Sequence, residues 1–386
     1  MTICRIVFLA AMLTVPVVSV PAADRTGDKP DHNCTSWMIF PDLTGNGTAI
    51  LHKNRDAHPR NITVMKSAPD SPRKWIGMGD SNHLFMGLNA SGLAACMNSG
   101  EPCIDPPTDK SKPRTPMILR SILESCDTAA EAEEKLQDFI RRGEYYHGDN
   151  KGSIFLFTDR KNGFICEVTG KFCSSQRYDS GYAFRANVWR NPGMAQRARS
   201  SHKRILDSCG REAVVLDSFN AAIDKNKRIG LDDILALSRR IDLPEGSPLT
   251  RSVCGKHTNS ASTLMIHLEF PDVLSTAYLL VGPPRHTLYL PVPVCVEKLD
   301  CRQEETVWAA AAWKRFDALG FGAPVPAEWT AFEKESMAAY EKASADALAL
   351  LREGKKAQAI QTLNNASSEI WRKAAAILRT EGKDKK

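Results

Sequence analysis

Cys34 is the residue of this sequence best placed to do chemistry. It lies in Asn33-Cys34-Thr35-Ser36-Trp37, shortly after an apolar N-terminal segment. If the Asn33–Cys34 bond is cut, one residue carries both a thiol nucleophile and an α-amine. Thiols and α-amines lose their protons over similar pH ranges, so the amine can serve as the base for its own thiol. Because a peptide nitrogen is not a base, the position of Cys34 predicts an enzyme that matures by cleavage.

The N-terminal segment has the three parts of a secretory leader. Arg5 supplies a positive charge, residues 6–20 form an apolar run, and Val20-Pro21-Ala22-Ala23 offers a small-residue cleavage site. The apolar run is shorter than the roughly 20 residues that a membrane span needs. We therefore predict a signal peptide over 1–23, a pro-segment over 24–33, and a secreted or periplasmic protein without a membrane span. An uncleaved anchor is the alternative.

The chain contains 11 cysteines, and in an exported protein such a number indicates disulfide bonds. Spacing alone does not fix their pairing. Three pairs are close in sequence: Cys96/Cys103, Cys166/Cys173 and Cys295/Cys301. A structural zinc site is the rival interpretation, but the sequence has no Cys-x-x-Cys spacing. We therefore predict neither a metal nor an organic cofactor.

Composition places the chain among ordinary globular proteins. It has 386 residues, of which 42% are hydrophobic and 25% are charged. The net charge is +6, and its only dense basic run is Lys383-Asp384-Lys385-Lys386. A nucleic-acid role is not predicted, because it requires clustered basic residues interleaved with aromatic ones.

The predicted elements follow the order strands, helices, strands, helices, strands. Tight hairpins, such as 35–40 with 48–52 and 153–158 with 163–169, indicate two antiparallel sheets with helices outside them. We predict a catalytic domain over 34–305. A helical extension over 306–386 follows, in which Ala327–Arg352 and Lys356–Arg379 form a hairpin. This hairpin is interpreted as a structural or dimerising appendage, with a lid or partner-docking element as the alternative.

Four short stretches carry a resemblance to a known family. They are Cys34-Thr35-Ser36, His52-Lys53-Asn54-Arg55-Asp56, Gly87-Leu88-Asn89-Ala90-Ser91-Gly92-Leu93-Ala94 and Arg185-Ala186-Asn187-Val188-Trp189. In this order, the chain resembles the N-terminal-nucleophile cysteine hydrolases over roughly residues 34–290. This group comprises choloylglycine hydrolases, penicillin V acylases, acid-ceramidase-like amidases and acyl-coenzyme A:6-aminopenicillanic acid acyltransferases. The resemblance implies an α+β fold, a four-layer αββα sandwich, and hydrolysis of linear amides in small N-acyl compounds.

The resemblance also assigns roles to residues of the site. It implies that Cys34 is the nucleophile and, through its α-amine, the base, and that Asp56 orients this amine. Asn98 corresponds to an asparagine that helps to bind the oxyanion, and Asn187 to one that orients the amine or the tetrahedral intermediate. Lys53 departs from the pattern, since many of these hydrolases have arginine there. A lysine keeps a positive charge near the thiol but loses the bidentate geometry of arginine.

An arginine that completes the site in many of these enzymes has no obvious counterpart. The closest position in this chain is Gly255, and Arg251 or Lys256 could substitute for it. Three alternative functions remain open: an acyltransferase using the same site, an inactive binding protein of the same fold, and a papain-like protease pairing Cys34 or Cys254 with His257. The sequence does not fix the oligomeric state, and a homo-oligomer is one alternative.

Overall fold

The structure is a computed structural model that describes residues 33–57, 61–80, 83–148, 150–243, 249, 251–296 and 302–380. The predicted signal peptide and all of the pro-segment except Asn33 lie outside the described residues. Both assignments therefore stay predictions.

The first sheet contains the strand that begins at Cys34. Its strands run in the order β10-β1-β2-β11-β12-β13, and each pair of neighbours is antiparallel. The six strands are β1 (Cys34–Ile39), β2 (Ala49–Asp56), β10 (Tyr182–Arg185), β11 (Thr258–Ile266), β12 (Thr276–Val281) and β13 (Leu290–Pro293). β1 and β2 form the predicted hairpin, and every residue of both strands is buried.

The second sheet is built from consecutive strands in the order β3-β4-β5-β6-β7-β8-β9. They are β3 (Thr63–Lys66), β4 (Trp75–Asp80), β5 (His83–Asn89), β6 (Ala94–Pro102), β7 (Lys151–Thr158), β8 (Gly163–Val168) and β9 (Cys173–Tyr178). Buried residues of both sheets, among them Met38, Leu51, Cys96 and Leu156, share one hydrophobic core. The two sheets therefore stack face to face.

Helices cover the outer faces of both sheets. α1 (Thr115–Ser125) and α2 (Ala129–Arg141) share a core with strands of the second sheet. α3 (His202–Asn226) and α4 (Leu231–Ser238) share another with β1 and β2. A single turn, α5 (Pro271–Leu274), precedes β12. The predicted αββα sandwich is confirmed.

Three C-terminal helices pack on the β12–β13 end of the first sheet. They are α6 (Arg302–Leu319), α7 (Ala327–Arg352) and α8 (Lys356–Thr380), and α7 with α8 forms the predicted hairpin. The indole N–H of Trp371 donates to the Pro291 carbonyl at 3.1 Å, and the hydroxyls of Tyr340 and Thr276 lie 3.2 Å apart. Within the described ranges, no helix has the length and apolar character needed to cross a bilayer.

Some predicted elements differ from the structure. The sequence predicts a helix over 195–209, but α3 begins only at His202 and continues to Asn226. It begins there because the Ser201 hydroxyl caps α3 by accepting the Arg204 N–H at 3.3 Å. Three strands escaped prediction because their sequences are atypical. β4 contains two glycines, which weaken a strand pattern. β9 is a polar edge strand with little apolar alternation, and β13 contains two prolines, which only a sheet edge tolerates.

The proposed cysteine pairs are not joined where the structure describes both partners. Cys96 and Cys103 are free thiols, and so are Cys166 and Cys173. In the β8–β9 register Cys166 lies opposite Ser175, while Cys173 lies opposite Val168. The two thiols are thus diagonal neighbours on one face, and both contact the Ser175 hydroxyl, at 3.5 Å from Cys166 and 3.7 Å from Cys173. Cys301 lies outside the described residues.

Candidate active site

The β1–β2 hairpin fixes which side chains share a face with the thiol. Cys34 lies opposite Arg55, and Ser36 lies opposite Lys53. Because side chains alternate along a strand, these four share the face that is turned toward the second sheet. Consistent with this, the Ser36 hydroxyl and the Lys53 ammonium both reach Asn98 on β6.

Cys34 lines a cavity of about 410 Å³ at the end of the two sheets. Lys53, Arg55 and Arg114 contribute positive charge to its walls, while Phe85 and Met97 contribute apolar surface. Arg55 stacks over Phe85, with its guanidinium carbon 3.9 Å from the ring centre, and pairs with Asp80 at 3.2 Å. The cavity therefore suits a small molecule with both polar and apolar parts.

The peptide bond between Asn33 and Cys34 is fixed at both ends. The Cys34 N–H donates to Asn187 Oδ1 at 2.9 Å, and the Asn33 carbonyl accepts the Asp56 N–H at 2.7 Å. One residue further along, Arg211 Nη1 donates to the Cys34 carbonyl. Asn33 is only 4% exposed and Cys34 6%. The bond predicted to be cut thus lies inside the site.

Asn187 lies just after β10 and faces the nitrogen of Cys34. Its Nδ2 donates to the Ser99 carbonyl at 2.6 Å, which orients Oδ1 toward Cys34. The backbone on both sides of Asn187 is held by buried carboxylates. The Ala186 N–H donates to Glu212 at 3.1 Å, and the Trp189 N–H donates to Glu101 at 2.8 Å. Asn187 Oδ1 thus accepts from the nitrogen that the predicted cleavage would release as an amine.

Asn98 is buried and makes four hydrogen bonds through its side chain. Its Oδ1 accepts from Ser36 at 2.8 Å and from Lys53 at 2.6 Å, while Nδ2 donates to the carbonyls of Arg185 at 3.2 Å and Ala186 at 3.1 Å. Because an ammonium only donates and a carbonyl only accepts, these partners fix the orientation of the amide. Both amide hydrogens are engaged, so Asn98 ties β1, β2 and β10 together. Its predicted part in binding the oxyanion stays a prediction.

Lys53 is buried, with 1% of its surface exposed, and is not a solvated strand residue. Its ammonium donates to the Met97 carbonyl at 2.7 Å and to Asn98 Oδ1 at 2.6 Å. These two bonds use two of the three donors of the ammonium, and Lys53 also lines the cavity with Cys34. Lys53 therefore places a positive charge at the wall of this cavity.

Asp56 lies on the other face of β2, at the end of the hairpin. Its Oδ2 pairs with Arg251 Nη2 at 2.6 Å, and its Oδ1 accepts from the Thr258 hydroxyl at 2.5 Å. Arg251 is thus the arginine that reaches this part of the site. Gly255, the position suggested by the resemblance, makes room for it, since a Cβ there would lie 2.6 Å from Arg251 Nη2.

Two further arginines of α3 reach the residues around the thiol, and sequence reasoning missed both. Arg204 donates to Asn33 Oδ1 at 3.4 Å and to the Gly100 carbonyl at 2.8 Å. Arg211 donates to the Cys34 carbonyl and, at 3.2 Å, to the Thr35 hydroxyl. Burial and the like charges of Arg251 and Arg204 lower the pKa of Arg211 to about 10, although Asp56 opposes them. The site therefore concentrates positive charge.

Their only sequence signal was a spacing of seven positions, which puts Arg204 and Arg211 on one helix face. Buried arginines need hydrogen-bond acceptors or counter-charges. The acceptors of Arg204 and Arg211 include Asn33 Oδ1 and the Cys34 carbonyl, which lie about 170 positions earlier in the sequence, at the predicted cleavage point.

Other candidate groups around the thiol are neutral. His52 stacks on Trp37 at 4.1 Å and bonds to Asn54 and Thr263, and burial lowers its pKa to about 3. Burial raises the pKa of the Cys96 thiol to about 11 and that of Cys254 to about 12. Cys254, proposed with His257 as a papain-like pair, is thus a buried protonated thiol outside the cavity lining.

Comparison with known proteins finds similar solved structures but no matching sequence family. No protein-family profile and no curated protein matches the sequence. Among solved structures, a variant of conjugated bile acid hydrolase from Clostridium perfringens is similar at 13% identity and a TM-score of 0.45, covering 69% of this chain and 94% of that one. The N-acylethanolamine-hydrolyzing acid amidase ortholog of Caenorhabditis elegans is 12% identical with a TM-score of 0.41, covering 62% and 94%.

Penicillin V acylase from Agrobacterium tumefaciens is 12% identical with a TM-score of 0.41, and the match covers 67% of this chain and 86% of that one. At these values the likeness concerns the fold and carries no argument about substrate or mechanism. Function has to be argued from the residues of the site.

Proposed function

We propose that the protein hydrolyses linear amides of small N-acyl compounds, with Cys34 as an N-terminal nucleophile. The observation that carries this proposal is the environment of the Asn33–Cys34 bond. A buried peptide nitrogen donates to Asn187 Oδ1 at 2.9 Å while the thiol of the same residue lines a cavity. Cleavage at this point produces a nucleophile and a base on one residue, already held by an oriented acceptor. In this proposal the chain is exported and matures by cutting the Asn33–Cys34 bond.

The catalytic cycle has two steps. In the first, the Cys34 thiolate attacks the acyl carbonyl carbon, and the negative oxygen of the tetrahedral intermediate meets the Lys53 ammonium. The C–N bond then breaks as the α-ammonium, held by Asn187, gives its proton to the leaving nitrogen. In the second, water attacks the thioester with the amine as base, the acid leaves, and the thiol is restored.

The first experiment compares the purified wild-type protein with Cys34→Ala. We expect intact mass and N-terminal sequencing to show that the wild type begins at Cys34, whereas the variant keeps Asn33. The wild type should hydrolyse at least one member of a panel of N-acyl amino acids and N-acyl amines. The variant should lose at least about 10³-fold in kcat/KM, as expected for removal of a nucleophile.

Two outcomes contradict the proposal. A wild-type protein that retains Asn33 and still hydrolyses amides points to a papain-like mechanism. A wild-type protein that begins at Cys34 but turns over no amide in the panel, while binding members of it, points to a binding protein of the same fold.

A further inference from the structure

We infer that Arg204 is a positioning residue for the cleavage of the Asn33–Cys34 bond, selecting asparagine at position 33, and that the Asp56 N–H receives the charge on the Asn33 carbonyl oxygen. This inference rests on the proposed function, because it concerns how the same nucleophile is released. It goes further by naming the groups of the folded chain that drive the cut.

The first support is the burial of the side chain preceding the cut. A residue that is discarded on maturation has no reason to be held by the rest of the fold. Yet Asn33 is 4% exposed, and its Oδ1 accepts from Arg204 Nη1 at 3.4 Å. Arg204, itself 5% exposed, uses Nη2 to donate to the Gly100 carbonyl at 2.8 Å. One guanidinium therefore links residue 33 to β6.

The second support is the geometry around the bond itself. The Asp56 N–H lies 2.7 Å from the Asn33 oxygen, so a donor is already in place where negative charge develops during attack. The nitrogen of Cys34 is held by Asn187 at 2.9 Å. With both ends fixed and the Asn33 side chain anchored by Arg204, the carbonyl carbon has little freedom to move away from the adjacent thiol.

The reaction balances without any added oxidant or cofactor. Sγ of Cys34 forms a bond to the Asn33 carbonyl carbon, and the C–N bond to Cys34 breaks. The thiol proton ends on the released nitrogen, which becomes the α-amine. Water then attacks the thioester, giving the carboxylate of Asn33 and the free thiol. The Asp56 N–H stabilises the oxygen in both tetrahedral intermediates.

The test follows cleavage of the full-length chain made in a purified cell-free translation system, with intact mass read at successive times. Arg204→Ala and Asn33→Ala should each slow cleavage about tenfold to hundredfold, the range for losing one hydrogen bond to a charged group. Asn33→Asp, which keeps an acceptor for the guanidinium, should cleave within about threefold of the wild type. Lys203→Ala, an exposed neighbour on α3, is the matched control and should not change the rate.

A double-mutant cycle separates selection from mere folding. If Arg204 acts through Asn33, the Arg204→Ala/Asn33→Ala double variant should be no slower than either single variant. If the two effects multiply, Arg204 only supports the fold through Gly100, and the inference is overturned. Because Asn33→Ala changes a residue that is discarded, it keeps the test informative even if Arg204→Ala folds poorly.

A second format distinguishes this inference from the proposed function. A chain that begins Met-Cys34 exposes the nucleophile when the initiator methionine is removed, without self-cleavage. In this format Arg204→Ala should show the amidase activity of the wild type, because slow cleavage no longer limits the amount of active protein. If its activity stays low, Arg204 is needed beyond maturation, and the inference fails. If the full-length wild type is not cut but the Met-Cys34 chain hydrolyses amides, the inference fails and the proposed function stands. If cleavage behaves as expected but no amide is hydrolysed, the inference stands and the proposed function fails.

Discussion

Buried arginines in two regions of this protein differ in how their charge is balanced. Arg239, beside the C-terminal helices, forms a bidentate pair with Glu333, both N–O distances being 2.6 Å. Burial opposes the charge of Arg239, but the charge and hydrogen bonds of Glu333 outweigh it and raise the pKa of the guanidinium. Near the thiol, burial and the like charges of Arg251 and Arg204 lower the pKa of Arg211 to about 10.

The arginines of the two regions differ in the partners that they contact. The matched pair joins α7 to the first sheet, since Glu333 also accepts the Tyr289 N–H at 2.7 Å. Near Cys34, the carboxylate of Asp56 pairs with Arg251 and also favours the charge of Arg211. Arg211 in turn donates to the Cys34 carbonyl. In the proposed function, positive charge this close to the thiol favours the negative charge of a developing oxyanion.

Neutralising the carboxylate in each region tests the difference between the two regions most directly. Asp56→Asn and Glu333→Gln each leave a buried guanidinium without its counter-charge, so each should lower the free energy of unfolding by about 3–5 kcal/mol. We expect only Asp56→Asn also to lower kcat/KM, measured per molecule that begins at Cys34. Urea unfolding and steady-state kinetics check both. If the folded Asp56→Asn protein keeps full activity, Asp56 is as purely structural as Glu333.

The next largest effect concerns the cation inside the cavity. Lys53→Met keeps the shape of the stem but removes the ammonium that we expect to face the oxyanion, so kcat should fall about 10²–10³-fold with a smaller change in KM. Ser36→Ala is the matched control, because it removes the other donor to Asn98 Oδ1 and leaves the charge in place. Equal losses in the two variants would mean that Lys53 only holds Asn98.

Much of the framework could be predicted from sequence, because its signals are local. The β1–β2 hairpin follows from two strand-like runs around a turn at residues 42–47, and its register then brings Asp56 beside Asn33. The resemblance carried by the four motifs, in their order, pointed to Asn187 and Lys53. The hairpin prediction needed only alternation and turn residues.

The contacts that complete the site could not be predicted in the same way. Arg204, Arg211 and Arg251 meet the hairpin across about 170 to 195 positions of sequence, and no local pattern marks such partners. Helix α3 was also predicted too short at its C-terminal end. The predicted helix covers 195–209, whereas α3 runs over His202–Asn226, so Arg211 lay outside it.

The buried imidazole of His52 stays neutral, in contrast to the charged arginines. Burial and the charge of Lys53 lower its pKa to about 3, although the hydrogen bond to Asn54 opposes this shift. The unfolded chain protonates His52 near pH 6.5, whereas the folded protein does so only near pH 3. Acid therefore favours the unfolded state, and this residue costs stability as the pH falls from 6.5 toward 3.

Between pH 7 and pH 5 this amounts to about 2 kcal/mol. Urea unfolding across this range should show a steeper loss of stability for the wild type than for His52→Gln. His202→Gln, at an exposed position, is the control and should follow the wild type. Parallel curves for the wild type and His52→Gln would contradict the prediction.

The smallest expected effect tests how closely Arg251 must approach Asp56. A Cβ at position 255 would lie 2.6 Å from Arg251 Nη2, so Gly255→Ala should push the guanidinium away from its 2.6 Å contact with Asp56. Because the obstructing atoms are the end of a flexible side chain, the cost in stability should be only about 1 kcal/mol. We expect a loss of a few-fold in kcat/KM. In an Arg251→Ala background the alanine at 255 has nothing to displace, so its effect should vanish; if the loss persists there, it comes from the backbone and not from the Arg251–Asp56 pair.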